Sequence, residues 1–200
     1  MTRVIGGLAR GRRLAVPARG TRPTSDRVRE SMFSSLDADL VAGGSAWADV
    51  VALDLYAGSG ALGLEALSRG ARAAYLVESD RAAARTLTAN AEAVGLPGAQ
   101  VLVRRAEALA SAPAPDPGAS LVLLDPPYDV DAAAIRALLG RLAASGWIVD
   151  GARVVVERPS RDAEDPLPAG WASSPRRRFG DTCLWYGRVV GERRSREEGA

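Results

Sequence analysis

The chain has 200 residues, a net charge of +2, 47% hydrophobic and 25% charged residues, which fits one globular domain with a sizeable core. It has no histidine, no lysine and one cysteine, Cys183. This excludes His-dependent triads, His- or thiolate-ligated metals and an intrachain disulfide, so a cytoplasmic, metal-free protein is expected. No apolar run is long enough for a membrane span, and no apolar segment follows the basic N-terminus as a secretory signal requires.

The charge is uneven. Residues 1–30 carry eight arginines against Asp26 and Glu30, whereas the remainder has 18 arginines against 22 acids. A basic arm on a slightly acidic body suits a polyanionic partner; the bland alternative is a solvated tail. The arginine-only usage and the single asparagine, Asn90, read as genome composition rather than function.

Residues 1–24 are broken by Gly6-Gly7, Gly11, Pro17, Gly20 and Pro23 and read as an irregular arm with short strands at most. Thr24 or Ser25 caps a helix whose stripe is Val28, Met32, Phe33, Leu36 and Leu40, a core-facing pattern with Arg27 and Arg29 off it. The pattern then alternates. Strands are predicted at Val50–Tyr56, Ala73–Glu78, Gln100–Arg104, 120–125 and Ala152–Glu157. Helices are predicted at about 61–69, 80–94 and 131–143. Such alternation implies a parallel sheet with right-handed crossovers. Trp171–Phe179 and Thr182–Val190, joined by Gly180-Asp181, read as a closing antiparallel hairpin. The division is thus an arm over 1–24, a domain over 25–191 and a disordered tail over 192–200.

Two motifs carry chemistry. Gly58, Gly60 and Gly63 fit G-x-G-x-x-G at a strand-to-helix turn, and Glu78 ends the next strand where it can take ribose hydroxyls. That spacing serves NAD and S-adenosylmethionine alike. Asp54 tilts the choice: a carboxylate before the glycines repels a pyrophosphate and attracts the ammonium and sulfonium of the methyl donor. Its bland alternative is a helix-capping carboxylate. Glu107 is placed to meet the adenine amine.

The second motif, Asp125-Pro126-Pro127-Tyr128, follows the apolar run Leu121–Leu124. Two prolines force a turn at the strand's carboxyl end, where open α/β sheets bind ligands. An exocyclic amine on a base is a poor nucleophile because its lone pair is delocalised. Acceptors at Asp125 and the Pro126 carbonyl, with a ring at Tyr128 to stack on the base, would aim that lone pair at an electrophile. The motif resembles the (Asp/Asn)-Pro-Pro-(Tyr/Phe) signature of the amino-methyltransferases.

With Arg3–Gly7, Gly11–Leu14, Arg22–Glu30, Asp54–Gly60, Glu65–Ala71, Asp125–Tyr128 and Phe179–Thr182 quoted together, nearly the whole chain resembles the RsmD family, bacterial methyltransferases of guanine N2 in 16S ribosomal RNA. The resemblance implies a class I S-adenosylmethionine-dependent methyltransferase fold: an α/β, Rossmann-like, mostly parallel seven-stranded sheet with an antiparallel last strand. It implies cofactor contacts at Asp54, Tyr56, Gly58, Gly60, Glu78, Ser79, Ala106 and Glu107, and catalysis at Asp125, Pro126, Pro127 and Tyr128. It further implies an RNA-binding arm using Arg3, Arg10, Arg12, Arg13, Arg19, Arg22, Thr24 and Arg27, with Arg29 as a further candidate. The substrate would be 16S rRNA in an assembled or assembling small subunit, met by a monomer. Glu107 stands where Asp is commoner.

The rivals are amino-methylation of DNA adenine or a glutamine side chain, an NAD-linked oxidoreductase, and a non-catalytic RNA-binding protein. Cys183 is far in sequence from the motif and reads as a buried small hydrophobe. The arm lies outside the alternating core, so deleting residues 1–20 is expected to leave fold and donor binding intact.

Overall fold

The computed structural model describes residues 2–17 and 25–191. Strand β1 (Thr2–Arg3) pairs antiparallel with β2 (Arg13–Leu14) in a two-residue ladder. Helix α1 (Asp26–Ala42) follows, then β3 (Val51–Leu55), α2 (Ala61–Ser68), β4 (Ala73–Glu78), α3 (Arg81–Val94) and β5 (Ala99–Val103). After a 3-10 segment at Ala106–Ser111 come β6 (Ala119–Leu124), α4 (Ala132–Ala144), β7 (Ile148–Pro159), β8 (Ala172–Phe179) and β9 (Thr182–Arg188).

The main sheet has seven strands in the order β5-β4-β3-β6-β7-β9-β8. β3 to β7 are parallel, and β9 runs antiparallel between β7 and β8. The predicted closing hairpin is therefore present, with the last strand among the described residues, β9, inserted inside the edge. β7 extends further at its start than expected, because Ile148 also pairs with Ala119 across a register shift. The 3-10 segment had no sequence signal: six residues are too few to show a helical period.

Alternation along the strands divides the core. Ala52, Leu76, Leu121 and Leu123 pack with α1, α2 and α3 on one face; Leu53, Leu55, Val77, Val122 and Leu124 pack with α4 and the 3-10 segment on the other. All five predicted stripe residues of α1 are buried. Ser25 is its cap, its side chain accepting from the Val28 N–H. Cys183 is buried, as expected.

The arm corrects one expectation. Val4, Ala9 and Leu14 belong to the first core cluster. Glu65 of α2, fully buried, accepts from the Ile5 and Gly6 N–H groups at 2.6 and 2.9 Å and from Arg69 Nε at 2.9 Å. The Ser68 hydroxyl accepts from Ala9 N and its carbonyl from Leu8 N. Gly7 lies at φ +75, and a Cβ there would stand 1.8 Å from the Ser68 carbonyl oxygen, so only glycine fits. The arm caps the last turn of α2 rather than lying outside the core. Its removal would strand Glu65 in the interior without its backbone donors.

Candidate active site

The sheet order reverses between β3 and β6, where neighbouring crossovers leave in opposite directions. This switch point opens a crevice at the carboxyl ends of the strands. The glycine loop leaves β3 on one side of it. Asp125-Pro126-Pro127-Tyr128 leaves β6 on the other, with Leu55 and Leu124 paired in register just before the two turns.

The loop is built for close approach. Tyr56 takes φ +62, a left-handed conformation unusual for an aromatic residue. Gly58 and Gly60 also have positive φ. A Cβ on Gly58 would meet only the Tyr56 carbonyl oxygen, at 3.9 Å, so the loop backbone there faces open space that a ligand can enter. At Gly63 a Cβ would stand 2.1 Å from Leu76 Cδ2 and 3.2 Å from Asp54. The third glycine serves the packing of α2 on the sheet.

Asp54 is 1% exposed, and its Oδ2 accepts from the Gly63 N–H at 2.8 Å. The helix-capping alternative is thus real. Burial pushes its pKa up to about 7; the Gly63 N–H works against this, and the charges of Asp125 and Glu78 add to it. A cationic ligand beside Asp54 would stabilise the carboxylate.

Glu78 does more than the sequence suggested. Its Oε2 accepts from Gly58 N at 2.9 Å and its Oε1 from Asp80 N at 2.8 Å. It fixes the first glycine of the loop, and each oxygen keeps a lone pair for a diol. Tyr56, Ser79, Ala106, Glu107 and Pro127 line one cleft of about 200 Å³, with Val77, Arg104, Arg105, Asp129 and Val130 completing the wall. Glu107 Oε1 accepts from the Tyr56 hydroxyl at 3.3 Å. Burial first, then Glu107, raises the Tyr56 phenol to about 12. The cofactor residues predicted from the sequence therefore converge on one edge. A larger groove of about 610 Å³ lies elsewhere, between α1 and the β8–β9 hairpin.

On the β6 side Pro126 is buried and anchors the turn, while Asp125 is half-buried. The Pro127 carbonyl accepts from Val130 N at 3.1 Å. Tyr128 is 59% exposed, a ring presented to the outside.

The predicted RNA contacts divide. Arg10, Arg12, Arg13 and Arg27 are exposed. Arg3 is exposed but its Nε pairs with Asp26 at 2.9 Å. Arg29 is fully buried, donating to Thr2 Oγ1 and Asp26 Oδ1, so it is a structural strut and not a phosphate contact. Arg19, Arg22 and Thr24 lie outside the described residues, as does the 192–200 tail.

Sequence reasoning missed Asn90. Buried on α3, its amide oxygen accepts from Ala15 N, and its nitrogen donates to the carbonyls of Ala15 and Ser59, each at 2.8 Å. It joins the arm to the glycine loop.

The sheet, the closing antiparallel strand and the glycine loop at the switch point define a class I methyltransferase fold. A family model described as Conserved hypothetical protein 95 matches residues 2–188, and the chain belongs to this family, the RsmD family. The Ribosomal RNA small subunit methyltransferase D of Escherichia coli K12 is 39% identical over 172 residues, 85% of this chain and 81% of the relative. A solved structure of a putative methyltransferase yhhF from Escherichia coli has a TM-score of 0.80 and 32% identity, covering 95% of this chain and 98% of that one. A T. thermophilus 16S rRNA N2 methyltransferase (RsmC), solved with AdoMet and guanosine, has a TM-score of 0.63 at 21% identity. It covers 84% of this chain and 44% of that one, a likeness of fold alone.

Proposed function

We propose that this chain transfers a methyl group from S-adenosylmethionine to the exocyclic N2 amine of a guanine in 16S ribosomal RNA, within the assembled or assembling small subunit. The observation that carries the reading is the placement of Asp125-Pro126-Pro127-Tyr128 directly across the switch point from the Gly58–Gly60 loop. The 39% identical relative supports rRNA as the substrate class.

The donor supplies an electrophilic methyl group on a sulfonium. Asp54 and Gly58 would hold its amino-acid end, Glu78 its ribose, and the cleft at Ser79, Ala106 and Glu107 its adenine. The target base unstacks into the crevice, as enzymes acting on bases require. Tyr128 stacks on it. Asp125 and the Pro126 carbonyl accept the two N–H bonds of the amine, which turns the nitrogen lone pair toward the donor. Once methylated, the nitrogen is cationic and releases its proton readily, so Asp125 need not be a strong base. Rate comes mainly from positioning, which can supply several kcal/mol, about 7–11 in the best-aligned cases.

The test is nucleoside mass spectrometry of rRNA from cells lacking the protein, paired with methylation of their small subunits by the purified chain. One N2-methylguanine should vanish in the cells and return in the reaction. Unchanged rRNA together with methylation of DNA adenine or a protein glutamine would redirect the substrate.

A further inference from the structure

We propose that edge strand β8 is a second RNA-binding surface, on which Arg176, Arg177 and Arg178 contact phosphates flanking the base presented at Asp125. This inference rests on the rRNA reading above.

The placement follows from register. Leu124 of β6 pairs with Val156 of β7. Two residues on, Arg158 pairs with Cys183 of β9, which pairs with Arg178 of β8. Arg178 therefore stands level with Pro126, on the catalytic edge, three strand intervals away; at the usual spacing this is roughly 14 Å. Arg10, by contrast, sits beside Gly7 and Ser68 at the far end of α2. The β8 arginines are thus on the edge where a captured base would enter.

The local structure presents these groups in a fixed array. β8 is an edge strand with Ala172–Arg178 all exposed. A register shift between Ser174 and Arg177 bulges the strand at Pro175-Arg176, and bulges re-aim side chains. Arg176 lies 5.0 Å over the Trp185 ring and Arg177 5.8 Å over the Tyr186 ring. Arg177 Nη1 donates to Ser35 Oγ at 2.8 Å, and Arg178 Nη2 donates to the Ser160 carbonyl at 2.6 Å. Rings, a hydroxyl and a carbonyl orient a guanidinium without neutralising it. Each guanidinium keeps further N–H donors for phosphate oxygens, the fork geometry that suits them.

Charged residues also protect a sheet edge from pairing with another chain. That role needs charge alone. It does not call for three consecutive guanidiniums, each pinned to a separate support and level with the catalytic turn. The body of the chain beyond residue 30 carries more acids than bases, so this run stands out against its background.

The test compares the full chain with R176Q/R177Q/R178Q and R176K/R177K/R178K. Binding to small ribosomal subunits from cells lacking the protein is measured over a range of salt, beside donor calorimetry and circular dichroism. The glutamine variant should keep donor affinity and lose at least about tenfold in subunit affinity. Its log–log salt slope should fall by about 2–3, at roughly 0.7–0.9 per phosphate contact. The lysine variant should keep the slope, since it keeps the charges. If the triple glutamine variant fails to fold, Arg178→Gln alone, which removes no ring contact, should lower the slope by about 0.7–0.9. An unchanged slope and affinity would reduce β8 to a protected edge. Lost affinity at an unchanged slope would make its partner a protein. Wild-type methylation of subunits with an unaltered glutamine variant sinks this surface alone. Salt-dependent wild-type binding without methyl transfer sinks the methylation reading and leaves the surface standing.

Discussion

Asn90 binds Ala15 through both faces of its amide, accepting the Ala15 N–H and donating to the Ala15 carbonyl, while its second N–H holds the Ser59 carbonyl of the glycine loop. One buried side chain thus ties the arm to the residue between Gly58 and Gly60. Asn90→Leu would take the side-chain partner from three backbone groups, at roughly 1–3 kcal/mol for the buried Ser59 carbonyl and less for the two of exposed Ala15. Urea unfolding should show a drop of that order. Calorimetry should show weakened donor binding, because the loop loses a support. Unchanged values of both would make the contact incidental.

Asp54 sets a pH dependence. Its carboxyl titrates near 3.8 in an unfolded chain and at about 7 in the fold. Between these values the folded protein holds a proton that the unfolded chain has released. Its contribution to stability is therefore fully present below about 4, is lost as pH rises through the interval, and is level above about 7. Asp54→Asn, which can still accept from the Gly63 N–H, should flatten this limb of the stability curve. In the wild type, donor binding should tighten as pH rises through the upper end of that interval, because the ammonium favours the carboxylate. A pH-independent donor affinity would detach Asp54 from the donor.

Gly58→Val should abolish donor binding with little change in secondary structure. Its positive φ disfavours valine, and the side chain would occupy the open space beside the loop. Calorimetry with S-adenosylmethionine, with NAD as competitor, checks this. NAD binding in the absence of donor binding would restore the oxidoreductase reading.

Asp125→Ala should leave most donor affinity and lower the methylation rate by ~10²–10³, the usual cost of losing one electrostatic contact made at the moment of transfer. Tyr128→Phe should retain activity, since the ring does the stacking. Tyr128→Ala should weaken capture of the base. Normal single-turnover rates for Asp125→Ala would remove that carboxylate from the mechanism.

Removing residues 1–17 should destabilise the protein. Val4, Ala9 and Leu14 leave the core, and Glu65 loses two backbone donors. The RNA role of the arm is better tested by replacing the exposed Arg10, Arg12 and Arg13 with glutamine. Thermal melting should be unchanged while the salt slope of subunit binding falls by roughly 0.7–0.9 per lost phosphate contact.

The features legible from the residues alone are local or periodic. The α1 stripe, the strand–helix alternation, the Gly180-Asp181 turn and the two motifs were legible, because period, turn chemistry and proline geometry act within a few residues. The seven-stranded fold followed from alternation together with the family resemblance. Which polar residues act inside depends on contacts between segments far apart in the chain. Arg29, off the apolar stripe and by sequence a candidate phosphate contact, lies buried against Thr2 and Asp26. Asn90 read as a quirk of composition, yet it bridges positions 75 and 31 residues away. The arm read as an appendage, but its N–H groups satisfy Glu65 across about 60 residues of chain. Such bonds join distant segments and leave no period in the sequence; they exist only once the chain has closed on itself.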